Sequence, residues 1–261
     1  MKRHLSILAV LLLGLCGAAA FGARPFPSGS DAAAILAAVD ARSSGSLAPK
    51  DMQSSMVMTI HQGATTKVRE IMAWSRNNKD KDDDRLMKFL APADVRGVGF
   101  LVLGGDTMYI YLPEFHRTRR IASSNKKDAF MSSDFSYDDL GTGEFAKSYD
   151  PVLKEDKADV WILELKRKPG SDTAYPKIIM TVDKAKSVAV KSELYDEAGR
   201  LAKTAEQTPT QVKGYWIPTV IKMTDNRKNT STTMELKDAK VDQGIGDDLF
   251  TERSLVRKVQ G

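Results

Sequence analysis

From Gln53 onward the 261-residue chain repeats one pattern: apolar and polar side chains alternate with a period of two, broken by short runs of Gly, Asp, Asn and Lys. That period sends every second side chain to the same face of an extended strand. In residues 53–60, Met56, Met58 and Ile60 share a face opposite Ser55, Val57 and Thr59, and Gln62-Gly63-Ala64 turns the chain. In residues 66–75, Val68, Met72 and Trp74 share a face with Glu70, opposite Lys67, Arg69 and Ile71. Further strands are expected at 85–90, 97–103, 107–112 and 117–121, and in the second half at 160–167, 177–182, 188–195, 200–207, 215–224 and 230–241. Helices nowhere alternate with these strands, which argues against a parallel α/β sheet. The expectation is a mainly β fold with a few helices. Its antiparallel sheet of about 11–12 strands cannot stay flat, because twist curls so many strands into a half-barrel, open barrel or sandwich. One or two helices on the concave side would then close a pocket.

Residues 104–140 organise the rest. Met108-Tyr109-Ile110-Tyr111-Leu112 is apolar on both faces, so both faces require cover. After Pro113-Glu114-Phe115 and the run 117–121 the alternation stops, and Phe130, Met131, Phe135 and Tyr137 stand among serines and aspartates. This mixture is too polar for a central strand and too aromatic for an idle loop. It reads as a flap across the mouth of the sheet, with those four residues as its apolar underside and Asp134, Asp138 and Asp139 solvated above. The same composition also fits a plug in the barrel end. The candidate cavity lining is Met56, Met58, Met72, Trp74, Met87, Phe89, Met108, Ile110, Trp161, Leu163 and Met180, with Met223 and Met234 also on inward positions. Methionine is flexible and polarisable and suits a variable apolar ligand such as an acyl chain. Methionine at alternate strand positions equally fills an ordinary β core.

The N-terminus precedes this fold. Lys2-Arg3-His4, the apolar stretch 5–15 and Ala18-Ala19-Ala20 predict a secretory signal over residues 1–22. Leu13-Gly14-Leu15-Cys16 loosely resembles a lipobox, but Leu15 stands where a small residue belongs, so soluble export is expected over lipid anchoring at Cys16. Residues 23–50 are expected to hold a helix and a linker, the helix capped by Ser30 and striped by Ile35, Leu36 and Val39. Residues 51–261 form the β domain. Without the signal the chain has no cysteine, hence no disulfide and no thiolate metal site. The roughly 240 remaining residues suffice for a core that holds by itself. Removing Lys2 and Arg3 lowers the formal net charge of +5 to +3, too near balance for a nucleic-acid protein.

Sharper chemistries fit poorly. His61 and His116 lie far apart in the sequence and form no metal-binding pair, and no G-x-S-x-G elbow occurs. Gly141-x-Gly143-x-x-Ala146 lacks the βαβ context of a dinucleotide loop. Asp134, Asp138, Asp139 and Glu144 lack EF-hand spacing, and Glu70 on its apolar face is a candidate pocket acid or a paired charge. Arg117, Arg119, Arg120, Lys126 and Lys127 form the densest basic cluster, near the expected mouth. They suit an anionic headgroup or an acidic partner face, and equally a solvated strand and loop.

Several of these stretches together resemble a known family. The Tyr-x-Tyr-Leu-Pro strand leading into basic residues (109–120), the Ser-Asp-Phe-Ser-Tyr-Asp-Asp-Leu block (133–140), Trp216-Ile217-Pro218, Asn229-Thr230-Ser231-Thr232-Thr233 and Asp248-Leu249-Phe250-Thr251 are similar to the outer-membrane lipoprotein-sorting, LolA-like group, from about Ala48 to the C-terminus. The resemblance implies a sheet wrapped around an apolar cavity under helical lids, carrying lipid or lipoprotein acyl chains across the periplasm. It implies no cofactor, no metal and no catalysis. A monomer is expected, with a resistance-nodulation-division (RND) type inner-membrane transporter as a partner. The group's lid-holding arginine aligns with no residue here, so that role is carried to neither Arg69 nor Arg117. The alternative on the same fold is a periplasmic sensing or protein-interaction domain that binds through the outer surface of its sheet.

Overall fold

The structure, a computed structural model, describes residues 31–78, 83–141 and 144–259. The expected signal with Cys16, the expected cap Ser30, residues 79–82 and Gly143 lie outside them. Helix α1 (Ala32–Ser43) is capped by Asp31, whose carboxylate accepts the Ala33 N–H, and it buries Ile35, Leu36 and Val39. Thirteen strands follow in one sheet. The first meander comprises β1 (Asp51–Gln62), β2 (Thr65–Arg76), β3 (Asp84–Ala91), β4 (Gly99–Leu103), β5 (Thr107–Leu112) and β6 (Arg117–Arg120). The second comprises β7 (Tyr149–Asp156), β8 (Val160–Arg167), β9 (Lys177–Asp183), β10 (Val188–Tyr195), β11 (Leu201–Val212), β12 (Tyr215–Asp225) and β13 (Thr230–Val241).

The first strand pairs with the last, so the order across the sheet is β6-β5-β4-β3-β2-β1-β13-β12-β11-β10-β9-β8-β7, antiparallel throughout. The sheet curves strongly without closing, which is the expected fold class with one strand more than expected. The addition is β7, whose Pro151 and charged residues hide it in the sequence; both are tolerated because it is an edge strand. The other edge is β6. Consecutive in sequence, the two edges lie at opposite ends of the sheet, so the connection between them must span it, and it does so on the concave side, where Phe130, Phe135 and Leu140 join the main core. That connection carries α2 (Tyr137–Gly141) and α3 (Phe145–Ser148).

Register fixes which side chains meet. Ser54, Ala73, Met87, Phe100 and Ile110 pair in succession across β1 to β5 and form a concave row. Gln53, Trp74, Leu86, Leu101 and Tyr109 form the neighbouring convex row. The main core lies on the concave side under α1 and the crossing segment. A smaller convex cluster joins Leu86, Leu101 and Tyr111 to Phe250 and Leu255 of the C-terminal segment. The two-faced apolarity of β5 is thereby explained, since Met108 and Ile110 enter the main core while Tyr109 and Tyr111 meet the C-terminal strap.

Polar contacts hold that strap. Buried Asp51 accepts the backbone N–H groups of Gln243 (2.7 Å), Gly244 (2.9 Å) and Ile245 (3.3 Å). Arg76 pairs with Asp84 at 2.6 Å and with Asp247, and its guanidinium stacks over Phe250. Lys88 donates to the carbonyls of Leu255 and Arg257 near the end of α4 (Glu252–Val256), and burial lowers its pKa to about 8. Gly99 admits this helix, because a Cβ there would stand 2.9 Å from a Leu255 methyl.

Replacing Asp51 with Ala strands three backbone donors. Urea denaturation of Asp51→Ala is expected to give a loss of about 2–4 kcal/mol, since hydrogen bonds to a charged acceptor contribute more than neutral ones. A loss below about 0.5 kcal/mol would mean that water replaces the carboxylate at no cost.

Candidate functional site

Under the crossing segment lies a cavity of about 370 Å³. Its floor comes from strands on both sides of the β1–β13 seam: Met56, Ala73, Met87, Ile178, Leu194, Ala205, Ile221, Met223, Met234 and Leu236. Phe135, Leu140 and Phe145 roof it. Toward the α1–β1 connection the lining turns polar, with Arg42, Ser54, Asn77, Asp83 and Arg85.

The expected lining residues divide into three groups. Met56 and Met87 border the cavity. Met58, Phe89, Met108, Ile110, Trp161, Leu163 and Met180 do not; they are packed into the main core. Met72 and Trp74 stand on the other face, contrary to expectation. Pairing of Met56 with Ile71 and of Met58 with Arg69 makes Arg69, Ile71 and Ala73 the concave residues of β2. Trp74 touches the cavity at its border but packs against the convex cluster. Glu70 is exposed on that convex parity and is no pocket acid.

The flap separates into a plug and a roof. Phe130 is fully buried, with its ring centroid 5.9 Å from Phe89, 5.0 Å from Phe100 and 5.6 Å from Tyr137. These aromatics fill the concave side above β3 and β4. Met131 is half-buried and packs on the main core, while Phe135 faces the cavity. Gly141 lets α2 settle on β5, because a Cβ there would fall 2.1 Å from the Met108 methyl.

Polar groups pin the flap over the seam strands. Arg69, only 7% exposed, donates from Nη1 to the Met131 carbonyl, and Gln62 Nε2 donates to the Ser132 carbonyl at 3.1 Å. Asp134 is buried; its carboxylate accepts the hydroxyls of Thr230 and Thr232, and its N–H donates to Thr232 Oγ1 at 3.0 Å. The expected solvated aspartates therefore point the other way. Asp138 accepts the Ala174 N–H at 3.1 Å, and Asp139 accepts the Ser136 N–H at 2.7 Å and lies 3.4 Å from Lys203 Nζ. Burial lowers the pKa of Arg69, an effect the charge of Asp94 opposes. The guanidinium stays charged.

At the roof, Asp40 of α1 accepts the N–H groups of Phe145 (2.9 Å) and Ala146 (2.8 Å), so α1 holds α3 over the cavity. Burial raises the Asp40 pKa to about 6 against these two bonds; Glu144 adds to the rise and Lys147 opposes it. Tyr149 donates to the Tyr175 carbonyl at 3.0 Å, and burial pushes its phenol up to about 12. Burial and the neighbouring Asp139 raise Tyr175 as well. Both tyrosines border the cavity as neutral groups.

Of the expected basic cluster, Arg117, Arg119 and Arg120 are exposed on edge strand β6 and make no ion pair among the described residues. Lys126 pairs with Asp106 at 2.7 Å and Lys127 with Asp172 at 3.4 Å. A second depression, of about 490 Å³, lies outside the flap between Asp106, Arg120, Lys126, Asp138, Glu144 and Lys147. Its charged lining suits water better than an acyl chain. Among the described residues no group of three or more His, Cys, Asp or Glu is placed to hold a metal ion.

A curved open sheet, a pinned flap and a largely apolar, partly open cavity make up the architecture of the lipoprotein-sorting, LolA-like fold. A family model described as "Uncharacterized protein" matches residues 81–257, more than half of the chain, and the chain belongs to that family. The resemblance to the outer-membrane lipoprotein-sorting, LolA-like group read from the sequence holds. The structure is similar to an outer membrane lipoprotein-sorting protein domain from Vibrio parahaemolyticus, with TM-score 0.79 and 29% identity over 87% of this chain and 98% of that one. A DUF1329 family protein from Desulfovibrio piger matches with TM-score 0.79 and 28% identity, over 87% and 100% of the two chains. A LolA superfamily protein from Nitrosomonas europaea, at 21% identity and TM-score 0.69 over 86% and 99%, shares the fold. No curated protein matches the chain.

Two measurements test the flap. Arg69→Leu is expected to speed amide exchange across residues 130–136 about tenfold, the effect of losing roughly one hydrogen bond to a charged donor; unchanged exchange would remove Arg69 from the latch. Asp40 is testable by pH. Between about pH 4 and 6 the folded protein keeps a proton on Asp40 that the unfolded chain has released, so this stabilising contribution is full below about pH 4 and lost as pH rises through about 6. Relative to Asp40→Asn, the wild type is expected to lose up to about 3 kcal/mol over that range, about two pK units. Parallel pH profiles in urea would refute the burial account.

Proposed function

We propose that the protein is a periplasmic carrier that binds lipid, or the acyl chains of lipoproteins, in the cavity beneath the flap and transfers them toward the outer membrane without changing a bond. The observation that carries this reading is the cavity of about 370 Å³, apolar on floor and roof, beneath a segment attached by hydrogen bonds. Burying an acyl chain recovers about 0.8 kcal/mol per CH₂, so such a cavity competes with a bilayer. The flap contacts of the charged Arg69 and Asp134 each contribute about 1.5–3 kcal/mol net, and the Gln62 contact about 1 kcal/mol. The similarity to a lipoprotein-sorting domain supports the same reading.

In this reading the protein is an exported monomer that uses no cofactor or metal and binds no nucleic acid. An RND-type inner-membrane transporter is the partner that would load or unload it. The unpaired arginines of β6 offer such a partner or an anionic membrane surface a steering charge. The outer-surface alternative finds less support, because Leu86, Leu101 and Tyr111 on the convex face are covered by the C-terminal strap. Exposed large apolar residues such as Val68, Phe115 and Val152 come from separate strands and turns.

The test is native mass spectrometry of protein purified from its own periplasm, with lipid identification after solvent extraction. Stoichiometric lipid or acylated peptide is the expected result. Ala205→Phe, which fills the floor, is expected to weaken uptake of a fluorescent fatty-acid probe at least about tenfold, as a blocked pocket must. A wild type that carries no lipid and takes up no probe ends the carrier reading.

A further inference from the structure

The cavity contains one charge that the carrier reading does not use. Five ionisable acidic or basic side chains other than tyrosine border it: Arg42, Asp83, Arg85, Asp138 and Asp139. Four have partners. Arg85 donates to the Leu140 carbonyl at 2.8 Å and lies 3.7 Å from Asp83, Asp138 accepts the Ala174 N–H, and Asp139 accepts from Ser136 and faces Lys203. Arg42, in the last turn of α1, has none: among the described residues it makes no hydrogen bond and no ion pair, and its Nε is shielded from solvent without an acceptor.

Arg42 as a whole is half-buried, so its terminal nitrogens reach solvent or the cavity space while Nε does not, and the guanidinium stays charged throughout. Burial alone lowers its pKa, with no carboxylate contributing. Two hydroxyls without a hydrogen-bond partner border the same cavity, those of Thr173 and Ser54. Ser54, near the start of β1 and 1% exposed, has a hydroxyl with no partner, although its neighbours on the concave row are apolar. Buried polar groups normally find partners, and an exception that borders a cavity is met by whatever occupies the cavity, whether water, an ion or a ligand. Size narrows the ligand further. The volume of about 370 Å³ stands near the lower end of the roughly 300–1,000 Å³ usual for one small-molecule ligand, which suits one acyl chain better than several.

We propose that the cavity takes a single-chain amphiphile with an anionic head, its chain over Met56, Met87, Met223 and Met234 and its oxyanion received by Arg42, with Ser54 as a further hydrogen-bonding group. This rests on the carrier reading and names its cargo class. A carboxylate and a phosphate monoester share the required chemistry: oxygens that accept from a guanidinium, which such groups often do in bidentate fashion.

Delipidated wild type and Arg42→Gln would be titrated by calorimetry with palmitate, palmitoyl lysophosphatidate and the uncharged hexadecanol, each below its micelle concentration. Wild type is expected to bind at least one anion roughly ten- to a hundredfold more tightly than hexadecanol, the range for a charge-assisted hydrogen bond in a partly buried site. Arg42→Gln is expected to weaken binding of that anion about ten- to a hundredfold, far more than it weakens hexadecanol, while Arg42→Lys restores part of the loss. Preference for palmitate identifies a carboxylate head, and preference for lysophosphatidate a phosphate. Equal binding of all three by wild type, or an Arg42→Gln protein with undiminished anion preference, overturns the anionic head and leaves the carrier reading standing. Failure of wild type to bind any of the three overturns both. The comparison of anion with alcohol uses wild type alone, so it decides the matter even if the variants do not fold.

Discussion

The pairing of β1 with β13 is the constraint on which the other features depend. It joins two meanders into one sheet and leaves β6 and β7, consecutive in sequence, as its opposite edges. The chain between them has to pass over one face of the sheet, and its aromatic residues place it on the concave one, where it covers the cavity. Its sequence need only supply aromatics below and hydrogen-bonding groups at the points of contact. Those points lie on β1, β2 and β13, through Gln62, Arg69, Thr230 and Thr232. The seam that creates the crossing segment also anchors it.

Burial is distributed unequally between the two faces. On the convex side the C-terminal strap adds a second layer to β3, β4 and β5, with Phe250 and Leu255 in contact and Asp51, Arg76 and Lys88 holding the backbone. That half of the sheet is buried on both faces, and large apolar side chains resist separation there. The flap over the seam is held by a buried arginine, an aspartate and two threonines, and the contacts of the two charged groups each contribute about 1.5–3 kcal/mol net. Both covers combine charged hydrogen bonds with buried aromatic side chains, Phe250 under the strap and Phe130 under the flap.

The alternation of period two made most strands legible, because each strand of a curved sheet presents one face to the core. The two-sided apolarity of β5 correctly demanded two covers. Strand β7 was concealed because an edge strand tolerates the proline and the charges that disqualify a central one. On β2 the charge of Arg69 favours an outward position and the size of Trp74 an inward one, and the structure reverses both. The hairpin held the answer. Gln62 pairs with Thr65 around Gly63 (φ +59°), and counting back from that turn sets Arg69 opposite Met58 and Ile71 opposite Met56. The buried orientation of Asp134 was not readable from its own neighbourhood, since its partners Thr230 and Thr232 stand almost a hundred residues away.

Methionine shows why composition could not separate cavity from core. Met58, Met108 and Met180 are packed solid, while Met56, Met87, Met223 and Met234 border open space, although all occupy equivalent concave positions. The difference lies in what stands above them. Phe130 and Tyr137 fill the space over β3 and β4, whereas over the seam and the strands beyond it the flap presents only Phe135, Leu140 and Phe145 at a distance. Unpacking Phe130 would expose an aromatic cluster that contributes several kcal/mol of burial. Moving α3 alone breaks the two Asp40 bonds and uncovers the half-buried Phe145. A ligand would therefore enter and leave beside α1 with the plug in place, past the end of the cavity where Arg42 stands.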